Sequence, residues 1–151
     1  IENLAERGFS DAQYNLARIY ANGESVDQDL IAAEYWFRKS AEQGNLDAQY
    51  QLGRMYDSGL GVSINKKEAF KWYSLSAEQG SIDAQYNLGL MYHMGTGVPQ
   101  DFNEAVNWYK LSADQGYNAA QLSLGRLYAS GKLGTKDYIS SYYNQHYVGK
   151  K

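Results

Sequence analysis

The side chains that could carry out chemistry are few and widely spaced in this chain of 151 residues. The chain has no cysteine, which excludes disulfides, thiolate catalysis and cysteine-ligated metal sites. The two histidines, His93 and His146, are far apart, and neither has a second metal ligand four residues away, so a zinc site is not expected. The sequence also lacks the Gly-x-x-x-x-Gly-Lys phosphate loop. These patterns predict a protein without a cofactor or a metal, and they leave one catalytic motif to consider.

That motif is the string from Ser63 to Lys66, which fits the Ser-x-x-Lys pattern of penicillin-recognising serine enzymes. In those enzymes the serine and the lysine share one turn of a helix, and Ser-Asp-Asn and Lys-Thr-Gly elements complete the site. Here the string falls in a turn expected between two helices, and both further elements are absent. Since a match of two residues arises easily by chance, a serine enzyme is the last of the three functional hypotheses.

Other residues recur at a fixed step of 36 positions. The string Ala-Glu-Gln-Gly, or a near copy, begins at residues 5, 41, 77 and 113, and Asp-Ala-Gln-Tyr begins at 11, 47 and 83, with a weaker copy at 119. The same step relates four glycines, Gly23, Gly59, Gly95 and Gly131. Chance does not keep so many positions in one register, so the chain is a repeat array.

Each repeat carries the pattern of two amphipathic helices. Apolar residues spaced by three and four positions predict both helices, and Gly23 predicts a left-handed end to the first one. The predicted apolar faces are Ala12, Leu16, Ile19 and Tyr20 in the first helix and Ala33, Trp36, Phe37 and Ala41 in the second. The three equivalent tryptophans, Trp36, Trp72 and Trp108, are predicted to be core residues because an indole buries a large area.

Two further sets of equivalent residues predict how the helices start and pack. A side-chain oxygen that caps the second helix is predicted at Asp29, Asn65, Asp101 and Asp137. A small residue follows each apolar leucine of the first helix, at Ala17, Gly53, Gly89 and Gly125. Because glycine inside a helix costs up to about 1 kcal/mol relative to alanine, its recurrence indicates that the two helices approach closely there.

Together these strings resemble the Sel-1-like repeat, a relative of the tetratricopeptide repeat. The resemblance rests on Leu-Gly, the Gly-x-Gly-Val turns at 59–62 and 95–98, Ala-x-x-Trp-Tyr and Ala-Glu-Gln-Gly, and it covers residues 5–131. It implies an all-α fold, a right-handed α/α superhelical solenoid of 36-residue helix-turn-helix repeats. For function it implies an interaction scaffold, because such arrays act through the surface that they present.

The register divides the chain into five segments. Residues 1–8 correspond to the end of a preceding repeat's second helix, 9–44, 45–80 and 81–116 are repeats 1 to 3, and 117–151 are a divergent C-terminal repeat or cap. Since Ile1 aligns with a position inside a second helix, we expect the chain to be a fragment or a processed product. A tyrosine-rich helix from about Tyr138 to Tyr147 is expected to cover the last core face.

The candidate binding residues lie on the first helix of each repeat. At about 100° per residue, Tyr14 and Arg18 lie opposite Leu16, and by resemblance to tetratricopeptide proteins this side lines a concave groove. Tyrosine and arginine are common hot-spot residues. The candidates are Tyr14, Arg18, Tyr50, Arg54, Asp57, Tyr86, Leu90, His93 and Arg126. The alternative stays open: the repeated tyrosines could wedge between helices, and the arginines could pair with local carboxylates.

Composition narrows the class of partner. With 44% hydrophobic and 21% charged residues the chain is not disordered, and a net charge of -3 argues against nucleic acid. No apolar stretch approaches the roughly 20 residues of a membrane helix. We therefore predict a non-catalytic scaffold that binds a protein or peptide in the concave groove. The second hypothesis is a module for cell-envelope glycan (peptidoglycan), with tyrosines stacked on sugar rings. A second copy could pair with the uncapped N-terminal face, and the resemblance favours a bacterial periplasmic or secreted protein.

Overall fold

The computed structural model describes residues 1–133, in which all regular secondary structure is helical. The chain divides into two compact units, Ile1–Ser81 (unit 1) and Ile82–Lys151 (unit 2). The helices of unit 1 are α1 (Glu2–Glu6), α2 (Ser10–Asn22), α3 (Leu30–Glu42), α4 (Leu46–Ser58) and α5 (Lys66–Glu78). In the described part of unit 2 they are α6 (Ile82–Met94), α7 (Phe102–Asp114) and α8 (Asn118–Ala129). The predicted all-α class of 36-residue helix-turn-helix repeats is confirmed. None of these helices is long and apolar enough to span a bilayer.

Side-chain caps start the second helix of each repeat. The Asp29 carboxylate accepts two backbone N–H groups from the first turn of α3, at 3.0 and 2.9 Å. Asp101 caps α7 in the same way, and the Asn65 side chain caps α5 with one hydrogen bond, from the backbone N–H of Glu68. The predicted caps are confirmed at these three positions, whereas Asp137 and the predicted helix Tyr138–Tyr147 lie outside the described residues.

Left-handed residues end the first helices. Gly23 has φ 71° and Gly59 has φ 73°, as the sequence predicts. Two residues beyond Gly23, Ser25 has φ 66°, while the equivalent Gly61 has φ 72°. Repeat 1 therefore holds a side chain in a conformation that usually requires glycine.

The two helices of a repeat approach closely at the predicted small residues. A Cβ on Gly53 would lie 2.5 Å from the Tyr73 ring, and a Cβ on Gly89 would lie 2.6 Å from the Tyr109 ring. Real Cβ atoms essentially never make such short contacts. The ring therefore occupies the space that the glycine leaves free.

The prediction that all three tryptophans are core residues is wrong for two of them. Trp72 is 3% exposed, but Trp36 and Trp108 are only half-buried. In repeats 1 and 3 the buried residue is instead the one that follows the tryptophan, Phe37 or Tyr109, whereas in repeat 2 both Trp72 and Tyr73 are buried. That neighbour faces the small residue of the first helix, so it takes the innermost position.

Buried glutamines explain the repeated Asp-Ala-Gln and Ala-Glu-Gln strings. Gln49 is 4% exposed, donates to the Ala41 carbonyl at 3.2 Å and accepts a hydrogen bond from Gln79 Nε2 at 2.8 Å. Equivalent pairs join Gln43 to Gln13 and Gln115 to Gln85, at 2.7 Å each. Within residues 1–133 no buried side-chain nitrogen or oxygen lacks a partner. These strings therefore serve packing and satisfy buried polar groups.

Candidate functional site

The tyrosines of unit 1 are both packing and surface residues. Tyr14 on α2 lies 5.8 Å from Phe37 between ring centroids, and Tyr50 on α4 lies 5.9 Å from Tyr73. Both tyrosines stay half-buried. Burial raises the pKa of Tyr14, and the negative charge of Asp47 raises it further, so this phenol stays neutral at ordinary pH.

The arginines of unit 1 lie over these tyrosines. The Arg18 guanidinium is 5.9 Å from the Tyr14 centroid, and that of Arg54 is 6.0 Å from the Tyr50 centroid, at the outer limit of a cation–π contact. Arg54 also donates to Gln51 Oε1 at 3.3 Å. Both arginines are exposed, and within residues 1–133 neither forms an ion pair with a carboxylate. We call Tyr14, Arg18, Tyr50, Gln51 and Arg54 the first-helix surface.

Asp57, a further candidate of unit 1, is engaged within its own repeat. Its Oδ1 accepts a hydrogen bond from Lys66 Nζ at 2.6 Å, and its Oδ2 lies 3.4 Å from the Tyr73 hydroxyl, which donates. Burial raises the pKa of Tyr73 well above its ordinary value, and the Asp57 charge adds to that rise. The Asp57 carboxylate is therefore ion-paired within its own repeat, beside the first-helix surface.

In unit 2 the candidates are more strongly engaged in packing. Tyr86 contacts Tyr109 and Tyr117, with ring centroids 5.8 and 5.1 Å apart, and Leu90 packs against the core cluster that contains Tyr109. Arg126 is exposed on α8. Tyr86 and Leu90, two of the three candidates on α6, therefore pack against the core of unit 2.

His93, the third candidate on α6, lies against the second helix of its repeat. Its Nδ1 is 3.1 Å from the Tyr109 hydroxyl, and its ring meets the Phe102 ring edge-on at 5.6 Å. Burial lowers the pKa of His93, and the positive charge of Lys132 lowers it further. The imidazole is therefore neutral at neutral pH, which suits packing against a phenol and a phenyl ring.

A cavity of about 250 Å³ opens beside the first-helix surface in unit 1. Sequence reasoning missed it, although the signal is present in the 36-residue register. Three positions related by the 36-residue step carry residue types that differ between repeats. They are Ala21, Leu30 and Phe37 in repeat 1, Asp57, Lys66 and Tyr73 in repeat 2, and His93, Phe102 and Tyr109 in repeat 3. The cavity is lined by Ala21, Asn22, Gln28, Leu30, Phe37, Gln51, Arg54, Met55 and Leu60.

The serine and lysine of the Ser-x-x-Lys motif do not share a helical turn. Ser63 lies in the connection before α5, and Lys66 is the first residue of that helix. Lys66 Nζ donates to the carboxylate and to the main-chain carbonyl of Asp57, at 2.6 and 2.8 Å. In the described part of the chain, no group of three histidine or acidic residues could hold a metal ion.

Helix pairs repeated every 36 residues, with polar and aromatic side chains on the first helix of each pair, define an α-helical repeat protein. The sequence profile of the Sel1 repeat matches residues 10–45, 46–81, 82–117 and 118–143, so the chain belongs to the Sel1 repeat family. Proteins of this family are generally non-catalytic scaffolds for protein interactions.

Solved structures of the same family are similar over most of the chain. A protective antigen of uropathogenic Escherichia coli, described as displaying an SLR fold, is 40% identical with a TM-score of 0.87. The match covers 93% of this chain and 30% of the antigen, so the chain spans less than a third of that relative. A Sel1 repeat protein from Oxalobacter formigenes is 39% identical with a TM-score of 0.76, covering 82% of this chain and 92% of that one. Cysteine-rich protein B of Helicobacter pylori, 18% identical, shares the fold with a TM-score of 0.60, over 74% of this chain and 94% of that one. No curated protein gives a significant match.

Proposed function

We propose that this chain is a non-catalytic scaffold that binds an extended segment of a partner protein on the first-helix surface. The observation that supports it most is the state of Arg18 and Arg54. Each lies on a half-buried tyrosine, is exposed to solvent, and has no carboxylate partner within residues 1–133. An exposed guanidinium without a counter-ion is available to an incoming acidic or carbonyl group.

Packing of the tyrosines strengthens this proposal. Tyr14 and Tyr50 are fixed by the aromatic residues beneath them, so a ligand that contacts their exposed parts orders few further rotatable bonds. By resemblance to tetratricopeptide proteins, we infer that this side of the first helices lines a concave groove. Tyr86, Leu90, His93 and Arg126 form a second candidate set within unit 2. Asp57 is a further candidate in unit 1.

The experiment is a selection of displayed random peptides against the protein, followed by calorimetric titration of the selected peptides. Their affinities are compared for two double variants. The first is Arg18→Ala with Arg54→Ala on the first-helix surface. The second is the matched control, Lys39→Ala with Lys71→Ala, which removes two exposed cations that also lie over aromatic rings, at 5.5 and 4.7 Å, but on α3 and α5.

We expect the arginine variant to weaken binding about tenfold or more and the lysine variant to change it less than about twofold, since a hot-spot contact is worth more than about 1 kcal/mol. Equal effects of the two variants would contradict the proposal. So would selected peptides that ignore the arginines while the circular dichroism of both variants stays native.

No specific observation supports the other two hypotheses, the glycan-binding module and the serine enzyme. A sugar ring needs a free aromatic face, whereas Tyr14 and Tyr50 have an aromatic residue on one side and a guanidinium within 6.0 Å of the ring centroid. The serine enzyme needs its lysine amine beside Ser63, and that amine donates to Asp57. Peptide binding is therefore the function that the geometry supports best.

A further inference from the structure

The unit 1 cavity lies where repeat 1 lacks the polar groups that repeat 2 holds at the equivalent positions. In repeat 2 the carboxylate of Asp57 pairs with Lys66 at 2.6 Å and accepts a hydrogen bond from Tyr73 at 3.4 Å. The three equivalent residues of repeat 1 are Ala21, Leu30 and Phe37, which carry neither a charge nor a hydroxyl. Between α2, α3 and α4 there is a space lined by five apolar and four polar residues.

The size and the lining of this cavity suit one side chain. Its volume of about 250 Å³ is below the roughly 300–1,000 Å³ of pockets that hold drug-sized ligands. Phe37 and Met55, which are 3% and 4% exposed, are its most buried lining residues, and Leu30 and Leu60 add further apolar surface. An aliphatic group matches the apolar part of this lining, which is formed by Ala21, Leu30, Phe37, Met55 and Leu60.

The polar residues of the cavity include a single cation. Arg54 and Gln51 lie next to each other on α4, and Arg54 is the only charged residue among those that line the cavity. Asp57, three residues after Arg54, pairs with Lys66, and Arg54 forms no ion pair within residues 1–133. The charge that complements an unpaired guanidinium is a carboxylate.

We propose that the unit 1 cavity is an anchor pocket for an aliphatic side chain of the partner polypeptide, with the carboxylate next to that side chain bound by Arg54. This proposal rests on the proposed function, because it places one residue of the bound segment on the first-helix surface. The carboxylate is the side chain of an adjacent acidic residue within the extended segment, and a C-terminal carboxylate is the alternative outcome of the test.

Three small probes test the anchor directly. They are acetyl-leucine with its free carboxylate, acetyl-Leu-Asp-amide, and acetyl-leucine-amide without a carboxylate. Each is titrated into the full chain while the methyl signals of Met55 and Ala21 are followed by NMR. We expect saturable shifts of both methyls in the millimolar range for at least one acidic probe, with binding at least about fivefold weaker for the amide probe. The tighter acidic probe identifies the source of the carboxylate.

The decisive variant replaces the three apolar residues by their repeat 2 equivalents, Ala21→Asp, Leu30→Lys and Phe37→Tyr. These groups fit the same place one repeat later, so the fold is expected to tolerate them. Ala129→Asp, at the equivalent position of α8, is the matched control. We expect the triple variant to weaken binding of the acidic probe at least tenfold, the control to leave it unchanged, and Arg54→Gln to reduce it to the level of the amide probe.

Two results of these titrations would contradict the proposal. Shifts that do not saturate, or an acidic probe that binds the triple variant as well as the wild type, would overturn the anchor pocket. If the triple variant fails to fold, Ala21→Leu fills the cavity without adding charge and takes its place. Displayed peptides that need Arg18 and Arg54 but bind the triple variant normally would overturn the anchor alone and leave the proposed function standing.

Discussion

The amide nitrogen of Gln79 lies 2.8 Å from the amide oxygen of the buried Gln49, and this hydrogen bond joins the C-terminal end of α5 to α4 within repeat 2. The 36-residue register reproduces the same pair at Gln43 with Gln13 and at Gln115 with Gln85. A polar group that is 4% exposed costs free energy unless it is paired, so the pair favours one register of the helices over others.

Replacing Gln49 by leucine should lower the free energy of unfolding by about 1–2 kcal/mol. The Gln79 amide then loses its main acceptor and keeps only its 2.9 Å bond to the Gly44 carbonyl. Chemical denaturation measures the change. Gln51→Leu, a half-buried glutamine two positions along the same helix, serves as the control and should stay within about 0.5 kcal/mol of the wild type. Equal losses of unfolding free energy for both variants would show that the buried glutamine pair stabilises the fold no more than Gln51 does.

Gly53→Ala should destabilise the protein although alanine is the better helix former. The gain in helix propensity is about 1 kcal/mol. The new methyl group would lie 2.5 Å from the Tyr73 ring, and overpacking of this kind costs about 1–3 kcal/mol. A double-mutant cycle with Tyr73→Leu checks the cause, since removal of the ring should make the alanine neutral or stabilising. A loss that persists without the ring would point to another source of strain.

Ser25→Gly should stabilise repeat 1. A non-glycine residue at φ 66° costs about 1–2 kcal/mol of folding free energy. The greater conformational entropy of glycine in the unfolded chain offsets about half of the gain from removing that strain. The expected net gain is therefore about 0.5–1 kcal/mol, seen as a rise in Tm. Ser25→Ala keeps the strain and should give no gain, so equal melting temperatures for the glycine and alanine variants would refute the explanation.

The sequence predicts the framework of this fold because the repeat presents each signal several times. Caps at Asp29 and Asn65, the left-handed Gly23 and the close approach at Gly53 all follow from local rules of helix geometry. Periodicity fails at Trp36, because it places a residue on the apolar face without fixing which of two neighbours is innermost. That choice depends on the small residue of the opposite helix, which is a tertiary contact.

The candidate surface is less predictable for the same reason. Tyr14 and Arg18 do lie together, as the helical period predicts. The partners of Asp57 and His93, by contrast, come from the second helix, at Lys66 and Tyr109. A helical wheel of the first helix does not contain them. Comparing the same three positions in successive repeats would have revealed both the polar pairs and the apolar cavity.

The last prediction concerns His93, which should make stability depend on pH. Burial and then Lys132 hold its pKa in the folded protein below the ordinary value of 6.5, so between the two pKa values the unfolded chain binds more protons than the folded one. The stabilisation is present above about pH 6.5, and it is lost as the pH falls from there through the folded pKa. Within residues 1–133 the groups that face the ring are the Tyr109 hydroxyl, the Phe102 ring and the Lys132 amine, and none of these three is a carboxylate that would stabilise the imidazolium.

Unfolding measured from pH 7.5 to 5 for the wild type and for His93→Gln should therefore give curves that differ in slope, with the wild type losing stability faster on acidification. His146→Gln separates the contribution of the second histidine. Parallel curves for the wild type and His93→Gln would show that the imidazole titrates alike in the folded and unfolded chains. A wild type that gained stability on acidification relative to His93→Gln would show that a carboxylate reaches the ring in solution. Because the imidazole packs on Tyr109, the same titration should move the NMR signals of the Tyr109 ring with the pKa of His93, which assigns the transition to this one contact.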